Sequence, residues 1–261
     1  GVGYSVQQYN IEQLPTKKRE FRGTKQFTIP DDIEGWADAI KACIENNMDG
    51  YNTVFNYSSI RPKGTLLKTS GGRAPGPKPL EVCLDNIALL LDSRVKPGNK
   101  MTSLDAHDIT CHLSNAVLAG GIRRAAMISL FDYDDEEMLT CKSGEWWKTD
   151  PHRGRANNSV VLHRASTDEA LFSSIWDKVK TSNAGEPGFY FTNDITWGTN
   201  PCCEIALKPY QFCNLVEINA SDVVNQKQFD DRVVAATMIA TLQAGYTDFH
   251  YLRPMWKETT E

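Results

Sequence analysis

The stretch Thr199–Asn219, TNPCCEIALKPYQFCNLVEIN, places Cys202, Cys203 and Cys213 of the chain's seven cysteines close to Glu204 and Asn200. Zinc sites favour cysteines two to four residues apart, so that both sulfurs reach one ion. Cys202 and Cys203 are adjacent and Cys213 follows eleven residues after the first, which argues against a metal pair. A disulfide between neighbouring residues is strained. On an extended backbone, side chains alternate between faces. Pro201 biases Asn200 toward extended geometry. The reading NPCCE therefore expects Asn200, Cys202 and Glu204 on one face and Cys203 on the other. An amide, a thiol and a carboxylate would then share a site suited to hydrogen-atom or proton transfer. Cys213, beyond the turn at KPY, could return as a second thiol and act as a reductant. A β-loop-β corner with merely buried thiols stays open on spacing alone.

The bulk numbers set the frame. The 261 residues carry a net charge of −5, with 41% hydrophobic and 23% charged residues, the profile of a globular chain with a proper core. The acidic balance argues against nucleic acid as main partner, while small phosphorylated ligands remain open. No apolar run reaches the length of a membrane span and no secretory signal opens the sequence, so no membrane partner is expected. An odd cysteine count spread along the chain indicates a reducing compartment, read as the cytoplasm. Cys43, Cys83 and Cys111 read as buried apolar side chains in helices.

Outward from the cysteine stretch, strands alternate with helices. GVGYSV opens as a strand. IPDDIEGWADAIKACIENN is a helix capped by Asp31 or Asp32, with Ile33, Trp36, Ala37, Ile40, Cys43 and Ile44 on its inner face. TVFNYSSI is a strand leading into a glycine- and proline-rich loop. Helices follow from about Leu80 to Leu91, buried along Leu80, Leu84, Ile87 and Leu91, and from about Ser103 to Ala119. The second opens on the variant capping box Thr102 and Asp105. AAMISLF, ANNSVVL and GFYFT are strands, TDEALFSSIWDKVKTS is a helix capped by Thr167, and a last helix spans about Lys227 to Ala244. The acidic run DYDDEE is a solvated strand-to-helix corner. This alternation predicts an α/β fold with a largely parallel sheet or barrel.

Two glycine-rich stretches complete the candidates. TSGGRAPGP contains Ser70, Gly71, Gly72 and Arg73, and GGIRR contains Gly120, Gly121, Ile122, Arg123 and Arg124. Glycines let backbone amides approach a phosphate or base, and the arginines can pair with phosphate oxygens. A Gly-Gly after a helix is also an ordinary C-cap. His107, His112, His152 and His163 lack the spacing of a metal set and are read as structural.

Taken together, TNPCCEIAL with QFCNLVEIN, EGWADAI, IRPKGTLLKTSGGRAPGPKPL, MTSLDAHDITCHLSNAVLAGGIRRAAMISL, RANNSVVL and GEPGFYFTND resemble, in order, the catalytic subunit of ribonucleotide reductases. The likeness spans essentially Gly1 to Glu261 and is greatest to the adenosylcobalamin-dependent class. It implies part of a ten-stranded α/β barrel with a central finger loop, residues 1–261 forming the central portion of one catalytic domain. It implies adenosylcobalamin as cofactor, a ribonucleoside di- or triphosphate as substrate, a dNTP or ATP effector and a thioredoxin-like reductant. Carried over by position, Cys202 would be the thiyl-radical cysteine, Glu204 the acceptor of the 3′-hydroxyl proton, Asn200 a ribose hydrogen-bonding group and Cys213 one of two reducing thiols. The glycine stretches match the family's two allosteric loops.

Two departures accompany the likeness. Cys203 stands where many members have glycine. The partner thiol of Cys213, the phosphate loop and the shuttle cysteines are expected in N- and C-terminal segments or a second chain, without which turnover is not expected. Two other readings compete: a glycyl-radical enzyme with the same barrel, and a non-catalytic nucleotide-binding fragment of a split reductase.

Overall fold

A computed structural model describes residues 1–67, 72–118, 126–250 and 252–261. In chain order the elements are β1 (Val2–Ser5), α1 (Gln8–Ile11), β2 (Gly23–Thr28), α2 (Ile33–Met48), β3 (Tyr51–Asn56), α3 (Lys78–Ser93), α4 (Ser103–Leu118), β4 (Met127–Asp132), α5 (Glu136–Thr140), α6 (Trp146–Thr149), a 3-10 turn at Pro151–Arg155, β5 (Ala156–His163), α7 (Glu169–Ser182), β6 (Gly188–Thr192), β7 (Gly198–Thr199), β8 (Ala206–Leu207), α8 (Gln226–Ala244) and α9 (Pro254–Thr260).

Local hydrogen bonds start the helices. Asp32 caps α2 by accepting from the Gly35 amide at 2.6 Å. The Thr102–Asp105 box is reciprocal: Thr102 Oγ1 accepts from the Asp105 amide at 3.2 Å, and Asp105 Oδ2 accepts from the Thr102 amide at 3.1 Å. The cap of α7 is Asp168, which accepts from the Leu171 amide at 2.8 Å. Thr167, expected in that role, instead donates its hydroxyl to the His163 carbonyl at 2.8 Å. A carboxylate one residue nearer the helix is the stronger acceptor for an orphan amide, and it wins the position. Asn183, in the left-handed region at φ 56°, ends the same helix.

β1, β4, β5 and β6 form a four-stranded sheet in that order, every pair parallel. The connection from β1 to β4 runs through β2, α2, β3, α3 and α4, with β2 and β3 forming their own parallel pair. One side of the main sheet packs Phe131, Val160 and Leu162 against α5 and α7 through Met138, Leu139 and Ile175. The other side presents Ile128, Leu130, Val161 and Tyr190 as a separate apolar layer. A sheet covered on both faces explains why β4 is nearly all buried and reads as a continuous apolar run.

A second core joins α2, α3 and α4, centred on Leu80, Leu84, Ile87 and Leu91, each essentially inaccessible as the helical stripe predicts. Most of the expected face of α2 turns inward: Cys43 is buried and Trp36, Ile40 and Ile44 pack against the core, joined by Ala39 and Met48, whereas Ile33 is 81% exposed and Ala37 also faces solvent. Cys43, Cys83 and Cys111 are buried in helices as anticipated, and Cys141 joins them. No helix among the described residues is long and apolar enough to cross a membrane.

Candidate active site

The cysteine stretch lies over the Ile128, Leu130, Val161, Tyr190 face of the sheet. β7 and β8 pair antiparallel, Gly198 with Leu207 and Thr199 with Ala206, so residues 200–205 form the loop of a small hairpin. Two hydrogen bonds dock it. Tyr190 donates its hydroxyl to the Gly198 carbonyl at 2.9 Å. Asn157 Nδ2 donates to the Pro201 carbonyl at 2.9 Å. Asn157 lies on the same face of β5 as Val161, which pairs laterally with Tyr190 of β6, so both side chains reach the same loop.

Close approach also requires a missing side chain on β1. A β-carbon added at Gly3 would fall inside the van der Waals shell of the Thr199 carbonyl, and one at Gly1 would meet Pro201. The first strand is therefore shaped to let the hairpin rest on it.

The loop itself is a turn rather than an extended segment, which corrects the expected alternation. The Cys203 amide donates to the Asn200 carbonyl at 3.0 Å, closing a four-residue turn with Pro201 and Cys202 at its centre. Pro201 fixes the first central φ, the position where proline favours a turn. Cys203 adopts φ 68°, in the left-handed region that glycine occupies without penalty. The residue type that many family members carry at this position is thus the one the backbone favours.

The turn still assembles the expected polar pair. Buried Asn200 donates from Nδ2 to Glu204 Oε1 at 2.6 Å, while its Oδ1 accepts from the Ile205 amide at 3.2 Å and the Thr199 hydroxyl at 3.3 Å. With both ends engaged, the amide's orientation is determined by its partners. Cys202 sits between them in sequence and is exposed, as are Cys203 and Glu204. The turn is open on its outer side. Burial against the sheet raises the Cys203 thiol above its ordinary range, with the neighbouring Cys202 and Glu204 adding to the effect. Cys213 lies beyond β8 and is half-buried. It follows Phe212, whose ring packs against Phe249 and Trp256.

Of the glycine-rich candidates, Gly72 and Arg73 fall among the described residues. The Leu67 amide donates to the Gly72 carbonyl at 3.0 Å, Arg73 bridges to Leu66, and its guanidinium donates to the Gly64 carbonyl at 2.9 Å. Ser70, Gly71, Gly120, Gly121, Ile122, Arg123 and Arg124 lie outside the described residues.

Sequence reasoning missed two further features. A cavity of about 610 Å³ opens at the C-terminal ends of the parallel strands, lined by Gln7, Asp132, Val161, His163, Asn193 and Asp194 among others. That end of a parallel sheet is where α/β folds commonly hold ligands. Asp132 is not merely solvated, since it accepts from the Gln8 amide at 2.6 Å and from Gln7 Nε2 at 3.1 Å. The second feature is a charge network at Asp108. Both of its oxygens accept from Arg153, each at 2.8 Å, Arg94 adds a contact at 2.7 Å, and His152 Nε2 lies 3.0 Å away. Burial alone would raise this carboxyl, but the bonds from Arg153, His152 and Arg94 outweigh it and hold it well below the usual carboxylate range. Asp108, Asp150 and His152 approach one another closely enough for a shared cation. The two carboxylates are engaged by guanidinium groups, however, and the cluster is an ion-pair knot joining α3, α4 and the 3-10 turn.

No family model matches the chain. Curated relatives do. An adenosylcobalamin-dependent ribonucleoside-triphosphate reductase of Lacticaseibacillus paracasei is 33% identical over 246 residues, covering 85% of this chain and 32% of that protein. The enzyme of the same name from Euglena gracilis is 32% identical over 214 residues, covering 74% and 28% respectively. A crystal structure of a B12-dependent (class II) ribonucleotide reductase superposes with a TM-score of 0.68 and 25% identity over 82% of this chain and 36% of that one. The chain spans about a third of the length of the curated relatives it matches. With that agreement in sequence order and in α/β topology, the chain belongs to the ribonucleotide reductase family, alongside its adenosylcobalamin-dependent members.

Proposed function

We propose that residues 1–261 are the central part of a catalytic α/β barrel that reduces ribonucleoside triphosphates to 2′-deoxyribonucleotides for DNA synthesis, with the 198–207 hairpin as its finger loop. The observation that carries this reading is the Asn200–Glu204 hydrogen bond at 2.6 Å across the turn that presents Cys202. An amide and a carboxylate fixed on either side of a thiol are the groups a hydrogen-atom abstraction from a sugar needs.

The roles follow from chemistry. As a thiyl radical, Cys202 takes the hydrogen from the ribose 3′ carbon. Glu204 takes the 3′-hydroxyl proton as general base, and Asn200 orients both carboxylate and ribose. The 2′-hydroxyl leaves as water, and Cys213 with a second thiol supplies the two electrons by becoming a disulfide, later reduced by a thioredoxin-like protein. Adenosylcobalamin fits the donor set, because an exposed thiol can meet a bulky radical source without any metal ligand from this loop. When bound, that cofactor supplies an organic radical. Further segments of the polypeptide or a second chain enclose the turn, since a radical survives only where stray donors are excluded. The stretches at Ser70–Arg73 and Gly120–Arg124 bind a nucleotide effector and relay it to the substrate base. A reducing cytoplasm suits the free cysteines.

The test is direct. The full-length protein, supplied with a ribonucleoside triphosphate, adenosylcobalamin and a dithiol reductant, should form the deoxynucleotide. Absence of product with nucleotide binding retained would favour a nucleotide-binding role instead.

A further inference from the structure

The peptide joining Pro201 to Cys202 can rotate while the ends of the turn stay in place. Turns of types I and II share the same end-to-end hydrogen bond and differ by a flip of this central peptide. Cys203 is left-handed and Cys202 is not, so the turn is type I; type II would put Cys202 at positive φ. The Cys202 nitrogen belongs to the same plane, and the direction of the Cys202 side chain changes with it.

The sheet holds this plane from one side. Gly3, Ile128 and Asn157 are lateral neighbours on β1, β4 and β5 and share one face. The loop lies across that row. Thr199 approaches the bare backbone of Gly3, and Pro201 packs where a β-carbon on Gly1 would stand. Asn157 Nδ2 donates to the Pro201 carbonyl at 2.9 Å. The carbonyl that flips between the two turn types is therefore the one Asn157 takes. Pro201 is buried while Cys202 beside it is exposed, so the anchor lies inward of the thiol.

We infer that Asn157 is a positioning residue, locking the Pro201–Cys202 peptide in one orientation and so fixing where the Cys202 sulfur points. The anchoring is a property of the hairpin, whereas its effect on catalysis rests on the reductase reading.

The experiment compares the full-length parent protein with Asn157→Ala and Asn157→Asp, by two readouts. Asn157 is exposed, and aspartate keeps its shape while removing the donor, so the core is left intact. The first readout needs no nucleotide or cofactor. Protein labelled with carbonyl-13C proline and 15N cysteine gives correlations from Pro–Cys peptides alone, and Pro201–Cys202 is the single such pair in these 261 residues. Its signal is identified by its loss in Cys202→Ser. The carbonyl resonance should move upfield in both variants, as it does when a donor is lost. In the second readout, kcat should fall between roughly tenfold and a hundredfold with KM little changed, the cost of a misplaced reacting atom. The isotope effect with 3′-deuterated nucleotide should rise, because hydrogen abstraction becomes slower relative to the other steps. A smaller folded fraction would lower kcat and leave the isotope effect where it was. A resonance unmoved in both variants, or a moved resonance with the isotope effect unchanged, overturns the proposal. A moved resonance in a protein whose parent never forms deoxynucleotide overturns the reductase reading and leaves the anchoring intact.

Discussion

Asn200 Nδ2 and Glu204 Oε1 stand 2.6 Å apart, linked across a turn that carries Cys202 between them. The bond fixes a carboxylate on the loop without a cation nearby in the hairpin. An amide donor orients the carboxylate, and Asn200 is in turn held by the Ile205 amide and the Thr199 hydroxyl.

Glu204→Gln keeps the size of this side chain and removes the base. In the full-length protein, kcat for deoxynucleotide formation should fall about 10²–10⁴-fold, the usual contribution of a positioned general base. Nucleotide affinity should change little, because the lost interaction belongs to the transition state. Steady-state kinetics together with equilibrium nucleotide binding separate the two. An equal loss in both would make Glu204 a binding group.

Gly3→Ala tests how the hairpin is seated. The new methyl group meets the Thr199 carbonyl, so either β1 or β7 must move. Overpacking of this kind costs about 1–3 kcal/mol, readable as a lower denaturation midpoint. Activity should drop by more than stability explains, since the displaced segment leads directly into Asn200.

Acid should destabilise the fold in two stages. Burial holds His107 neutral, down to about 3, where it accepts from or donates to the Tyr4 hydroxyl at 2.8 Å. Burial, with the stacked ring of His152 adding to it, takes His112 down to about 4. Both values lie below the unfolded histidine value of about 6.5, so the unfolded chain binds the extra protons first. The stability these groups contribute is complete above pH ~6.5 and is lost as pH falls toward 4 and 3. Asp108 adds a second loss below about pH 4, where the unfolded carboxyl protonates while the ion-paired one resists. Melting temperature against pH should be flat between about pH 6.5 and 8 and fall below that window. His112→Phe, which keeps a ring against His152, should flatten the upper part of that fall.

Removing one side of the Asp108 knot is the sharper stability test. Asp108→Ala leaves the Arg153 guanidinium buried without its carboxylate and should cost about 3–5 kcal/mol in chemical denaturation.

What could be read in the sequence divides along physical lines. The Thr102–Asp105 box, the Asp32 cap and the α3 stripe from Leu80 to Leu91 depend on residues a few positions apart, so local pattern captures them. On α2, Trp36, Ile40, Cys43 and Ile44 turn inward as their spacing predicts, while Ile33 and Ala37 extend the apolar pattern and stay exposed. β2 was missed since it pairs on one side only and is mostly exposed, leaving KQF without an apolar alternation to betray it. At the site, residue identities pointed to Asn200, Cys202 and Glu204, but the turn that joins them did not show. It depends on a left-handed Cys203 and on Asn157 and Tyr190, partners on other strands that no local spacing connects to the loop.

The central claim is that the Cys202 sulfur itself carries out the hydrogen abstraction. Deoxynucleotide formation by the full-length Cys202→Ser protein, measured beside the parent with adenosylcobalamin, ribonucleoside triphosphate and dithiol, tests it most directly. Product should stay at background level, with the fold and nucleotide binding retained. Product formed at a rate near the parent's would contradict it.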